Sequence, residues 1–330
     1  MPYRDPTLVR IVLYASRSNL IGPVFAQMEA IRAVVARRNI ALGLGTALLH
    51  QSGWFVQWVE GPHEAVQQVL ARVAADPRHG AMHVLHDSAA PRQLHDSWSM
   101  AVVHADETPD DFGRRVAALL HDHERGLRHA PAAVWRLLST PLGHVGAQAQ
   151  DDPALFCRTM VCAADLDESF DLVRWLGVRH GVEVVRRRFA GADTPDVATD
   201  YVDFADAGRV HRVIAMARNG TRIGLTRAFL ADYGCIVLLR GSDARRDEQL
   251  LALLTHACDG LLHRPTLLGV GTNPLQHGEL RQAARAQGLD YVHVDVADRR
   301  DPAQLWHAVA PVVREFAAPL PAQARRMNGG

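Results

Sequence analysis

A chain of 330 residues that is 48% hydrophobic is long enough for two ordinary cores. Its 36 basic and 36 acidic residues cancel, so no global charge draws it to nucleic acid or to an anionic membrane. Every basic residue in that count is arginine; without lysine there is no Schiff-base chemistry and no phosphate loop of the usual Walker type. Cys157, Cys162, Cys235 and Cys258 lack the paired spacing of a zinc site and read as buried small side chains in a reducing compartment. No signal peptide or membrane-length apolar run is visible, so the expectation is a soluble, cytoplasmic protein with no metal.

In chain order, Leu8–Tyr14 is a β-branched run that predicts a strand. Val24 to Arg38 places apolar residues at 24, 28, 31 and 35, the spacing of an amphipathic helix ending at Asn39. Ala41–His50 and Trp54–Glu60, joined by Gln51-Ser52-Gly53, predict a hairpin. A helix over His63–Ala75, a strand over Met82–Asp87 and a short strand near Ser97–Val103 complete an α+β ferredoxin-like order, βαββαββ, with both helices on one face. Thr108-Pro109-Asp110-Asp111 is a helix start, and further helical patterns run to His123 and over Ala132–Leu138. Gly143 to Asp152 reads as a linker.

Beyond it, strands are expected at Cys157–Ala163, Tyr201–Phe204, Arg209–Ala215, Cys235–Arg240, Thr266–Gly271 and Tyr291–Val296. Helices are expected at Ser169–Gly177, Arg222–Ala231, Asp247–Leu261, Gly278–Gln287 and Pro302–Phe316. That alternation predicts an α/β doubly wound domain with a mostly parallel sheet. The domains expected are therefore 1–103, a helical extension over 104–152, 153–318, and a tail over 319–330.

Three polar residues stand out in the first part. Along Trp54–Glu60 the faces alternate, so Gln57 shares a row with Phe55 and Val59. A buried amide without partners costs about 1–3 kcal/mol, so Gln57 needs company. Asn39 lies four residues past Val35 on the same helix face, and Tyr14 ends the first strand. In a ferredoxin-like sheet the three can converge under the helices, which suits a flat heteroaromatic ligand with polar edges. Three separately satisfied polar residues would leave the same pattern.

The landmarks in order are Leu13-Tyr14-Ala15-Ser16-Arg17, Asn39, the block Gly53-Trp54-Phe55-Val56-Gln57-Trp58-Val59-Glu60-Gly61-Pro62, Asp76-Pro77-Arg78-His79 and Trp98-Ser99-Met100. Over about residues 7–103 this set resembles the BLUF family, sensors of blue light using FAD. The resemblance implies bound FAD and a photoactive pair, with Tyr14 as electron and proton donor and Gln57 as the bridge between phenol and flavin. It implies that Asn39 hydrogen-bonds the flavin's carbonyl edge and that Ile31 packs on the isoalloxazine. Arg78 and His79 would lie near the ribityl phosphate end, and Arg38 just before the asparagine. Trp98 and Met100 would relay the signal, with one of the two inside at a time. Two departures are Arg38, where the family often has Asn or His, and Gly43-Leu44-Gly45-Thr46, where it has Gly-Ile-Thr-Gly.

The second half, about 153–316, resembles a bacterial Ras-like small GTPase. Asp193–Tyr201 is similar to a switch I segment, Cys235–Leu239 to the central strand after switch II, Thr266–Asn273 to the base-recognition strand and Val292–Asp298 to the last strand. Where the phosphate loop belongs the chain reads Ala163-Ala164-Asp165-Leu166-Asp167-Glu168-Ser169, without glycine or lysine and with three acids. The switch I threonine position reads Asp196, Ala215–Gly220 lacks the switch II pattern, and Asn273 lacks its following acid. A degenerate, nucleotide-free module is expected; a receiver-like or cobalamin-type α/β domain is the alternative.

His121-Asp122-His123-Glu124 reads as a solvated helix end and not a metal site, His79, His83 and His86 lack identifiable co-ligands, and Arg186-Arg187-Arg188 reads as a solvated loop or strand edge. The sequence thus predicts a photoreceptor, not an enzyme, signalling to a protein partner or a second copy of the chain, with no nucleic acid and no membrane partner. The alternatives are a light-regulated GTPase with unusual motifs and a flavin-binding module without light output.

Overall fold

The computed structural model describes residues 8–94, 96–143, 156–164, 168–194, 197–241, 243–259, 261, 263–271 and 273–316. The chain forms two compact units: Met1–Leu142 with Arg186–Val197 and Arg222–Ala228, and Gly143–Val185 with Ala198–Thr221 and Phe229–Gly330.

The first unit begins β1 (Leu8–Ser18), α1 (Val24–Ala41), β2 (Gly45–Gln51), β3 (Trp54–Gly61), α2 (His63–Ala74), β4 (His79–Pro91) and β5 (Ser99–His104). The order across the sheet is β4-β1-β3-β2-β5, with β1 antiparallel to β3 and β4, β2 antiparallel to β3 and β5 parallel to β2. This is the ferredoxin-like order with a fifth strand, as expected from the pattern. Two helices follow, α3 (Pro109–Glu124) and α4 (Pro131–Ser139). Thr108 caps α3 in a capping box with Asp111, and Pro109 occupies its first turn.

The alternation read along β3 separates two cores. Phe55 joins Met28, Leu48, Trp98 and Met100 on the α1 side, and Val59 joins Val12 and Val66 beside α2. On the opposite face Trp54 stacks on Phe112 of α3 at 5.9 Å, and Trp58 meets Trp135 of α4 at 6.3 Å. All eight residues of β3 are buried because helices cover both sides of it.

Several boundaries differ from the expectation. Helix α1 runs on through Ala41, so β2 starts at Gly45 and not at Ala41. Leu42 and Gly43 return N–H groups to Arg38 and Ile40, and Gly43 adopts φ +64°, a left-handed helix ending. Tyr14 is inside β1, not at its end. Strand β4 is twice the expected length; its half-buried, polar edge gave no apolar run to read. The basic run Arg186-Arg187-Arg188 belongs to a strand, β7 (Val184–Gly191), and not to a solvated loop. Its residues Arg186–Gly191 pair antiparallel with β5 in the first unit. Arg188 packs over Phe25 at 3.7 Å and Arg187 bonds the Ser139 carbonyl at 2.7 Å, so partners within the fold absorb these cations.

The second unit contains β6 (Phe156–Ala163), α5 (Glu168–His180), β8 (Val197–Asp206), β9 (Arg209–Met216), β10 (Cys235–Leu239), α7 (Ala244–Ala257), β11 (Thr266–Val270), α8 (Pro274–Ala286), β12 (Tyr291–Val294) and α9 (Pro302–Phe316). Its sheet order is β8-β9-β6-β10-β11-β12. All neighbours are parallel except β8, which runs antiparallel to β9. Apolar strand residues such as Val161, Val237 and Leu268 form one core with Leu172, Leu176, Leu305 and Val309 from α5 and α9. The helix expected over Arg222–Ala231 is broken: a short α6 (Gly224–Ala228), which lies in the first unit, stands between two single turns of 3₁₀ helix. Gly220, Gly224 and Gly234 punctuate it.

The four cysteines are buried free thiols, and burial pushes Cys162 up to about 12 and Cys235 up to about 11. No helix among the described residues is long and apolar enough to cross a membrane. The expected linker beyond Gly143, the acids Asp165 and Asp167, Asp196 and the tail after residue 318 lie outside the described residues.

Candidate functional site

A cavity of about 140 Å³ opens between α1 and α2 above the sheet of the first unit. Helix α1 lines it with Ile31, Val35, Arg38 and Asn39, and α2 with Val69, Arg72 and Val73. On each helix the lining positions recur at three- and four-residue steps, one face of a helix. The sheet contributes Thr46, Leu48, Phe55, Gln57 and Trp98, and the turn after α2 contributes Asp76, Arg78 and His79.

Tyr14 and Gln57 are directly opposite in the β1–β3 register, so their side chains share a face. The Tyr14 hydroxyl donates to Gln57 Oε1 in a buried hydrogen bond. A break in the β1–β4 register falls between Leu13 and Tyr14, the kind of irregularity that re-aims a side chain. Tyr14 is fully buried, and burial, reinforced by the charge of Asp76, pushes its phenol well above the ordinary tyrosine value. Tyr14 is therefore a neutral hydrogen-bonding group, and Gln57 stands between it and the cavity.

Asn39 is buried in the last turn of α1 and spends both amide hydrogens: Nδ2 donates to Thr46 Oγ1 at 2.9 Å and to the Ser97 carbonyl at 2.8 Å. A backbone carbonyl only accepts, which fixes the amide's orientation. What Asn39 offers the cavity is its carbonyl oxygen. Trp98 and Met100 are both buried in one cluster with Phe55 and Leu48, so neither points outward; the expectation of one inside at a time does not describe this structure. Trp98 lines the cavity, and its buried indole N–H has no hydrogen-bond partner among the described residues. Met100 lies one strand beyond Leu48.

At the mouth, Arg38, Arg72 and Arg78 are exposed and basic. Arg78 pairs with Asp76, whose carboxyl is pulled down to about 2 by that guanidinium. His79 bonds Ser16 Oγ through Nδ1 at 2.7 Å and rests on the Phe55 ring at 4.7 Å; burial lowers its pKa and keeps the ring neutral. Every residue expected at the cofactor site lines this cavity except Tyr14, one layer behind Gln57. Sequence reasoning missed Arg72 and Asp76. The signal for Arg72 was available: Val69, Arg72 and Val73 are spaced on α2 as Val35, Arg38 and Asn39 are on α1.

These residues fit a flavin. A cavity with apolar walls has an acceptor at Asn39 and, among the described residues, an unpartnered N–H at Trp98, and its mouth carries three guanidiniums suited to phosphates.

Comparison with known proteins points the same way. The photoactivated adenylate cyclase subunit alpha-like protein FB of Euglena gracilis is 33% identical over 101 residues, 30% of this chain and 10% of that protein. The photoactivated adenylate cyclase subunit beta of Euglena longa is 31% identical over 103 residues, 31% of this chain and 12% of that protein. The chain thus spans about a tenth of the length of the curated relatives it matches. Among solved structures, the dark state of BlrB, a BLUF protein, is 28% identical with a TM-score of 0.28, covering 39% of this chain and 92% of that one. The family described as "BLUF: Sensors of blue-light using FAD" matches residues 9–101, the stretch that builds β1 to β5 and the cavity. Residues 9–101 are therefore a BLUF domain, a blue-light sensing module that uses FAD.

Proposed function

We propose that the chain is a blue-light photoreceptor that signals by rearranging the hydrogen bond between Tyr14 and Gln57. The observation that carries this reading is that bond itself, buried beside a cavity that Gln57 lines. Ile31 would pack on the flavin ring and Asn39 would accept from its imide edge. Arg38, Arg72 and Arg78 would face the phosphates, with His79 beside them. Bound there, FAD supplies light absorption and a transient electron acceptor. Tyr14 is the nearby donor. Loss of an electron to the bound flavin would make the hydroxyl proton acidic, with Gln57 Oε1 the acceptor already in contact, and return of the electron and the proton to Tyr14 would restore the neutral phenol and the oxidised flavin. The amide then rotates or tautomerises and presents its other end to the phenol without changing charge. What persists is a new set of hydrogen bonds, which moves the absorption to the red and presses on Trp98 and Met100.

The second unit is read as a Ras-like small-GTPase fold without nucleotide chemistry, acting as a protein-interaction module. Its support is the strand order with one reversed strand, the helix that follows β6, and the absence of lysine from the chain. Glu168, the first residue of α5, is engaged by Arg299 at 3.4 Å and Arg300 at 3.7 Å, which puts an internal carboxylate near the strand end where Ras-like proteins cradle phosphate.

The test is the visible spectrum of the purified chain supplied with FAD, before and after blue light. The wild type is expected to be yellow, to shift to the red and to recover in the dark. Tyr14→Phe should bind FAD and show no shift. Protein that stays colourless in excess FAD, or a Tyr14→Phe variant that shifts like the wild type, overturns the reading.

A further inference from the structure

The BLUF sheet of this chain does not end at β5. Strand β7 covers that edge from Ser99↔Gly191 to His104↔Arg186, with Met100 opposite Ala190. The registers place Tyr14, Gln57, Leu48, Met100 and Ala190 in one row across five strands. Paired residues share a face, and neighbouring strands are about 4.8 Å apart, so Ala190 is roughly 14 Å from Gln57 through two intervening side chains. Ala190 is fully buried in the cluster that holds Trp98 and Met100, and Ala192 packs on it. Arg32 of α1 bonds the Ala192 carbonyl at 2.7 Å.

A second contact holds the same stretch. The Asp96 carboxylate accepts from the backbone N–H of Gly224, and Ser99 Oγ accepts from that of Leu225 at 3.4 Å. A Cβ at Gly224 would lie 2.8 Å from the Asp96 backbone nitrogen, so the fit needs glycine there. Residues 96–100, which carry Trp98 and Met100, are thus clasped by two segments from far along the chain.

We propose that the light signal leaves the flavin domain through this sheet edge, into Arg186–Gly191 and Arg222–Ala228, and not through α3 and α4 on the opposite face. The flavin-side row ends on Ala190, and any shift of Trp98 moves Asp96 and Ser99, which hold Gly224 and Leu225. The proposal rests on the photoreceptor reading. On the Ras-like reading of the second unit, the two receiving segments adjoin the stretches read as switch I, Asp193–Tyr201, and switch II, Ala215–Gly220, in the connections between α5 and β8 and between β9 and β10. The partner selected by light would then be one that recognises those segments released from the edge.

The experiment is hydrogen exchange by mass spectrometry on the full chain with FAD, in the dark and under blue light, with the absorption shift recorded on the same sample. Peptides covering 186–191 and 222–228 are expected to exchange faster in light by a factor of about 5–150, the range of ordinary allosteric coupling, while 109–139 stays unchanged. Gly224→Ala should keep the red shift but bring the dark exchange of 222–228 to the illuminated level. Asp96→Ala, which removes the acceptor and adds no bulk, should do the same and serves if the first variant folds poorly. A normal red shift with light-dependent exchange confined to 109–139, or wild-type behaviour in both variants, overturns the proposal. An absent red shift in the unmutated protein instead overturns the photoreceptor reading beneath it.

Discussion

Asn39 carries more of the site than its type suggests. Its amide hydrogens hold Thr46 and the Ser97 carbonyl, which anchors the residue before Trp98, and its oxygen is left for the ligand. Asn39→Ala removes both functions. One hydrogen bond lost with its partner left buried costs about 1–3 kcal/mol, or roughly 5- to 150-fold in a dissociation constant. FAD affinity, followed by flavin fluorescence quenching, is expected to weaken within that range, and unchanged affinity would contradict the assignment of Asn39 as a ligand-facing acceptor. Gln57 and Asn39 were readable as polar interruptions of apolar faces at a countable spacing and Tyr14 as the end of the first apolar run, while the pattern alone left their convergence open. The hydrogen-bond direction at Asn39 was not, since it depends on Thr46 and Ser97, which periodicity does not bring together.

At the scale of elements, strands with buried runs were readable and strands with polar edges were not. β1, β3, β6 and β10 have uninterrupted buried stretches that announce themselves. β7 has a half-buried pattern with three consecutive arginines, and only the contacts with Phe25 and Ser139 explain why the cations are tolerated there. The segment from β6 to α5 carries neither lysine nor glycine, and on the proposed Ras-like reading that speaks against phosphate-loop chemistry. With Glu168 held by Arg299 and Arg300, an incoming triphosphate would face a carboxylate and have to displace its partners. Isothermal titration of the full chain with a non-hydrolysable GTP analogue and magnesium is expected to give no binding heat at micromolar concentrations. A saturable isotherm, or GTP turnover above background, would restore the reading of a light-regulated GTPase.

For the whole molecule the balance of charge hides an asymmetry in how its histidines are held. Burial lowers the pKa of His50, to about 4, and of His79 and His86 in the first unit, and of His180, His211 and His277 in the second. A histidine whose folded pKa lies below its unfolded value, about 6.5, binds fewer protons folded than unfolded. Its contribution to stability is therefore complete above pH ~6.5 and is lost as the pH falls from there through the folded pKa. Glu60 and Asp247, raised by burial, act in the opposite sense, but they titrate from the carboxylate range upward and are two groups against six. Asp76, held near 2 by Arg78, adds its own loss only at the acid end. Urea midpoints followed by far-ultraviolet circular dichroism should accordingly be highest near neutrality and fall between pH 6.5 and 5, with three of the six histidines in each unit, so that both transitions move if two are resolved. Loss of flavin absorbance should accompany the first unit's transition, because His79 lines the slot. A midpoint that is flat or rises across that interval would mean that these rings are solvated or paired in the folded protein, which their burial against Phe55, Phe204 and Tyr291 argues against.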